Sequence, residues 1–172
     1  MKVRNGFVSN SSSSSFIVIF DCDPRGNPDY LKKILYGDRD EIVPQYADLY
    51  ADFKTVSTDV LVSHILSELE GKEPVGLKEV IDAIRFDMID YYDNPLYGRN
   101  APEYGTEEYE LLQEKMDRES IQKAITAAEE FLKKSKGKQV FILEFEDGCQ
   151  IGAQLEHGGT FDGLENIRIS HH

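Results

Sequence analysis

Phe16-Ile17-Val18-Ile19-Phe20 constrains the chain more than any other segment. It is a continuous apolar run, rich in β-branched and aromatic residues and too short for a helix. Such a run reads as a strand buried on both faces, hence a central one. A strand of that kind needs neighbours on both edges and cover on both faces. Asp21-Cys22-Asp23-Pro24-Arg25-Gly26-Asn27-Pro28 is turn chemistry and ends it.

The cover is sought in the helical patterns that follow. Pro28 suits the first turn of a helix over Asp29–Tyr36, closed by Gly37. Ser57 or Thr58 caps a second, with Leu61, Ile65 and Leu69 on one stripe and Gly71 beyond its end. Pro74–Tyr92 carries Leu77, Val80, Ile81, Ile84, Met88 and Tyr91 on one stripe. Thr106 caps a helical stretch that runs to Gly137, with Asp117 as a point where a fresh cap would split it. Near the C-terminus, Val140–Glu146 and Cys149–His157 flank Asp147-Gly148, a strong hairpin signal. Phe141, Leu143 and Phe145 then share one face, and Val140 and Ile142 the other. Both faces are apolar, which predicts helices on both. Ile167–His172 reads as a last strand. The expected fold is α+β in a single domain over residues 1–172. It has one small mixed or antiparallel sheet built from strand 16–20, hairpin 140–157 and last strand 167–172. Three to five helices are inserted between the first strand and the hairpin.

Composition narrows the function classes. The chain has 172 residues and a net charge of −13, which argues against binding to duplex nucleic acid. No apolar run approaches the length of a membrane helix. Lys2 and Arg4 are followed by serines, not by the apolar core of a signal peptide. Two cysteines, Cys22 and Cys149, fit a reducing compartment better than a disulfide framework. There is no phosphate-binding G-x-x-x-x-G-K-[ST], no G-x-G-x-x-G, no H-E-x-x-H, no C-x-x-C and no G-x-S-x-G. The balance weighs against an enzyme.

Three features carry candidate chemistry. The serine run Ser11, Ser12, Ser13, Ser14 and Ser15, with Asn10 and Arg4 nearby, offers hydroxyls, backbone N–H groups and one cation without bulk. As a loop it could wrap a phosphate or carboxylate; the ordinary alternative is a self-bonded turn feeding the strand. His157, His171 and His172, with Asp162, are a candidate set for a divalent transition metal. A plain surface cluster, or for His171-His172 the remnant of a purification tag, are the other readings. Finally, Tyr91, Tyr92, Tyr97 and Tyr104 crowd one stretch with Arg99 among them, beside an acidic stripe of Glu79, Asp82, Asp90 and Asp93. Tyrosine and arginine anchor protein interfaces because they give large contact area at low entropy cost.

The stretch Arg4-Asn5-Gly6-Phe7-Val8-Ser9-Asn10 and the serines up to Phe16 resemble the start of a group of small bacteriophage and bacterial proteins. Glu156-His157-Gly158-Gly159-Thr160-Phe161 and Ile167-Arg168-Ile169-Ser170-His171-His172 resemble the end of members of the same group. The likeness is confined to the termini. It implies a cytoplasmic setting, the host cytoplasm for a phage-encoded chain, and assigns no chemistry. The leading expectation is a non-enzymatic accessory protein that binds a host or phage protein through the acidic, tyrosine-rich surface. The alternative is a small-ligand module, phosphate-binding or metal-dependent, using the serine loop and the C-terminal histidines.

Overall fold

In the computed structural model, residues 13–44, 54–85, 87–88, 94–96, 100–146 and 148–171 are described. The apolar run lies in β1 (Ser13–Phe20), the middle strand of a three-stranded antiparallel sheet. Its neighbours are β4 (Gln139–Glu146) and β5 (Asn166–His171). Between β1 and β4 come α1 (Pro28–Tyr36), β2 (Glu41–Ile42), β3 (Val56–Ser57), α2 (Thr58–Leu69), α3 (Leu77–Ile84) and α4 (Glu107–Lys133). Helix α5 (Gln150–His157) follows β4. The fold is α+β, as the sequence predicts.

Register shows why β1 sits in the middle. Ile17 lies opposite Ile142 on one side and Ile167 on the other, while Phe16 lies opposite Leu143 and Arg168. On one face, Phe16, Val18 and Phe20 join Phe141, Leu143 and Phe145 beneath Leu31 of α1, Leu61, Ile65 and Leu69 of α2 and Leu155 of α5. On the other face, Ile17, Ile19, Val140 and Ile169 meet Val80 and Ile84 of α3 and Ala124, Ala128 and Phe131 of α4. The sheet is thus a middle layer between two helical layers. Each of the five apolar side chains of residues 16–20 is buried, which stabilises by about 1.5–3 kcal/mol apiece.

The structure corrects three expectations. First, Cys149–His157 is not the second strand of a hairpin; Gln150–His157 is helical, capped by the Cys149 sulfur, which accepts from the Gly152 amide at 3.4 Å. The outer edge of β4 is already taken. The Val75 amide donates to the Val140 carbonyl at 2.8 Å, Lys72 Nζ to the Ile142 carbonyl at 3.0 Å, and the Glu144 amide to Glu68 at 3.0 Å. Those partners leave no row of free groups for another strand. Second, the helix expected over Pro74–Tyr92 spans Leu77–Ile84. The Val75 amide is bonded to the Val140 carbonyl of β4, so the helix starts at the Gly76 cap, where Glu79 accepts from the Gly76 amide at 3.1 Å. Residues 86 and 89–93 lie outside the described residues. Third, α4 runs unbroken past Asp117, because half-buried Leu112 and Met116 and buried Ser120, Ala124 and Ala128 repeat at spacing four on one continuous helical face. The short pair β2–β3 has no signal in the sequence.

Tyr36, the last residue of α1, is only 4% exposed. Its hydroxyl finds no partner in hydrogen-bond geometry. Burial pushes its pKa from the ordinary 10.0 up to about 12, partly offset by the Thr160 hydroxyl and the Arg39 charge nearby. An acid whose pKa is raised on folding keeps its proton longer in the native state, so stability is intact below pH 10 and falls between pH 10 and 12. Relative to Tyr36→Phe, the wild type is expected to lose roughly 1–3 kcal/mol across that window, measured by urea unfolding of both proteins.

Gly152 gives a second test. A Cβ there would sit 1.9 Å from the Glu146 carbonyl oxygen, because α5 folds straight back on the end of β4. In an open helix Gly→Ala stabilises by about 0.5–1 kcal/mol. Here the sign reverses, and Gly152→Ala is expected to destabilise by about 1–3 kcal/mol in the same assay.

Candidate functional site

Two regions hold the residues that the sequence singles out. The first is the start of α4. Thr106 caps the helix by accepting from the Tyr109 amide at 3.3 Å and donates its own hydroxyl to the Glu103 carbonyl at 2.6 Å. This turn sets Tyr104 edge-on against Tyr109, with centroids 5.1 Å apart and planes at 70°. Tyr104 is 84% exposed and Leu111 58%. Around them stand Glu107, Glu108 and Glu110, in the favourable first turn. The buried residues of α4 are Ser120, Ala124, Ala128 and Phe131, all in its second half. Packing is therefore tightest in the C-terminal half; in the acidic N-terminal half Tyr109, Leu112 and Met116 are half-buried on one stripe and the other faces are exposed.

Tyr91, Tyr92, Tyr97 and Arg99 lie outside the described residues. Of the acidic stripe, Glu79 is engaged in capping α3; the amides of residues 79 and 76 hold its carboxyl below the usual range. Asp82 pairs with Lys78 at 3.6 Å, and Asp90 and Asp93 lie outside the described residues.

The second region joins the two ends of the chain. Arg4, Asn10, Ser11 and Ser12 lie outside the described residues, but Ser13, Ser14 and Ser15 are not a loop: they are the first turns of β1's ladder, paired with β4 and β5. Serine tolerates a strand here because polar partners await it. Ser14 is fully buried and donates to Glu156 Oε1 at 3.0 Å. Its oxygen accepts from Arg168 Nε at 3.4 Å and Nη2 at 3.3 Å. Arg168 also lies over the Phe16 ring, 5.8 Å from its centroid, and Nη2 contacts His157 Nδ1 at 3.1 Å. Arginine can only donate, so Nδ1 is the acceptor and the imidazole proton resides on Nε2. Nε2 in turn lies 3.4 Å from Glu156 Oε1. One serine hydroxyl thus relays between a guanidinium and a carboxylate that is itself buried.

Serine, histidine and a carboxylate together suggest nucleophilic catalysis, and the geometry does not support it. Ser14 gives its proton to the carboxylate, not to the imidazole, and its oxygen is sealed inside the central strand. The cluster is a clasp that ties β1, β5 and α5 together.

The candidate metal set of His157, His171, His172 and Asp162 lies only in part among the described residues. Among the described residues, no group of three or more His, Cys, Asp or Glu side chains could hold a metal ion. His157 faces a guanidinium, which repels a cation; Asp162 folds over Gly159, 2.5 Å from where a Cβ would be. His171 closes β5, and His172 lies outside the described residues. The residue missed by sequence reasoning is Arg168. Its only signal is a charge between Ile167 and Ile169, on the strand face that period two turns toward Phe16. The burial of Glu156 has no signal at all once the segment is read as strand.

No family model, curated protein or solved structure matches the chain. Among the described residues, no helix is long and apolar enough to cross a membrane.

The clasp makes a stability prediction. Ser14→Ala takes from buried Glu156 its serine donor, leaving only the longer 3.4 Å contact to His157 Nε2, and is expected to cost about 1–3 kcal/mol in urea unfolding. Ser14→Ala combined with Glu156→Met is expected to recover part of that loss, because no buried polar group is then left alone. Unchanged stability in Ser14→Ala refutes the role of the hydroxyl.

Proposed function

We propose that this is a non-enzymatic accessory protein, of the bacteriophage and bacterial kind that its termini resemble, which docks a basic surface of a host or phage protein. The docking surface is the exposed side of the N-terminal half of α4 and the turn before it. The observation that carries the reading is Tyr104, 84% exposed and propped edge-on by Tyr109. Tyr104 is held in water against a second ring, which leaves its other face open to a partner. An aromatic that is already braced loses little entropy on binding. Leu111 adds apolar area, and the glutamates of the first turn supply a negative field. In a chain of net charge −13, that field steers encounter with a cationic patch.

The test is affinity capture from bacterial lysate with wild type and with Tyr104→Ala, Leu111→Ala. Truncating one central anchor costs about 2 kcal/mol, or about thirtyfold in affinity. At least one protein retained by the wild type should be lost from the variant, and raising the salt should release it from the wild type. Recovery of the same proteins by both, at every salt concentration, overturns the proposed surface.

A further inference from the structure

Strand β5 forms one edge of the sheet, with β1 as its neighbour. The ladder between them fixes which way its backbone groups point. The Ile19 amide donates to the Glu165 carbonyl at 3.0 Å, and the register pairs Ile17 with Ile167 and Ser15 with Ile169. Bonded and non-bonded pairs alternate along an antiparallel ladder. The odd-numbered residues of β5 therefore bond to β1, and the N–H and C=O groups of Asn166, Arg168 and Ser170 point away from it. Among the described residues, nothing bonds to those outward groups. The opposite edge of the sheet differs, because Glu68, Lys72 and Val75 occupy β4 there. Proline, lysine or a bulge blunts a free edge. Asn166-Ile167-Arg168-Ile169-Ser170-His171 contains neither residue, and its register with β1 runs without a break. Its one full charge is drawn inward: Arg168 Nε lies 3.4 Å from Ser14 Oγ on β1, and Nη2 lies 3.1 Å from His157 Nδ1 on α5.

Such an edge fits an antiparallel copy of itself, the isologous contact of a twofold dimer. With Arg168 opposite Arg168 of the partner subunit, Asn166 faces Ser170 of the partner subunit, and every outward residue exchanges N–H and C=O across the dyad. At the alternate positions Ile167 meets Ile169 of the partner subunit, and Glu165 meets His171 of the partner subunit. That register sets β-branched apolar positions side by side and an acidic position against a histidine at each end. A foreign strand would have to supply this pattern; a second copy carries it already. We propose that the chain forms a homodimer by pairing β5 with β5, joining two three-stranded sheets into one. The one like-charge pair, at Arg168, is relieved because each guanidinium lies over Phe16 of its own chain, 5.8 Å from the ring centroid. Half-buried Ile167 gains cover. The interface shares no residue with the α4 docking surface, and either stands if the other fails.

The experiment is sedimentation velocity on the full chain over a range of protein and salt concentrations, with residue-resolved amide exchange by NMR on the same samples. A concentration-dependent dimer is expected. Each copy carries a net charge of −13, so added salt should tighten it, opposite in sign to the release expected at the α4 surface. As the dimer fills, the Arg168 and Ser170 amides should exchange more slowly. The Ile167 and Ile169 amides, bonded to β1 with or without a partner, should not change. Ser170→Pro removes an outward donor that the β1 ladder does not use and should weaken the dimer about tenfold or more. Ser170→Ala keeps that donor and should dimerise as the wild type does. A monomer at every concentration up to about 1 mM overturns the proposal. So does a dimer whose Arg168 and Ser170 amides exchange as fast as in the monomer, or a folded Ser170→Pro that dimerises as tightly as the wild type. The wild-type exchange pattern decides the matter even where Ser170→Pro fails to fold.

Discussion

The structure depends on one strand being apolar on both faces. β1 buries Phe16, Val18 and Phe20 toward α1, α2 and α5, and Ile17 and Ile19 toward α3 and α4. A strand with a single wet face permits two layers; this one requires three. Everything else in the chain order answers that requirement. The long excursion between β1 and β4 supplies helices for both faces. Ala124 and Ala128 let α4 lie close on the second face, where Ile17 and Ile19 need cover.

What was legible follows from the same constraint. The apolar run, its central position, the face assignments of β4 and the helical cover all come from side-chain apolarity and its period, which are local properties. Helix α2 could be read because Leu61, Ile65 and Leu69 repeat at one spacing between a threonine and a glycine. Where reading failed, a distant group decided. Ile151, Ala153 and Leu155 fit period two, but Ile151 and Leu155 also fit one helical face. The tie was broken by Glu68, Lys72 and Val75, which occupy the outer edge of β4. No inspection of residues 149–157 alone could reveal that edge to be taken. The same holds for α3, whose start was moved by the bond from the Val75 amide to β4.

The candidate site was legible only in its parts. The serines and His157 stand out by composition, and their convergence follows from placing both termini in one sheet. Their roles do not. A run of serines reads as a loop until Glu156 and Arg168 are known to flank Ser14, 142 and 154 residues away in the chain. Only that pairing explains how a buried hydroxyl is tolerated inside the central strand.

β1 therefore changes chemistry along its length, and this orders the polar features of the molecule. From Phe16 to Phe20 it anchors two cores; at Ser14 it anchors a charge relay instead. Because β5 runs antiparallel to β1, the residue opposite Phe16 is Arg168, which spans ring and hydroxyl together. Arg168 then holds the imidazole of His157, the last residue of α5, and His157 is also part of the wall of a cavity beside α1. The clasp and the cavity share that one side chain. The polar end of the central strand thus positions the end of α5, and with it the turn that carries Gly159 and Asp162. A chain of contacts thus joins the internal serine of β1, through Arg168, to His157 on a surface more than 140 residues away in the sequence.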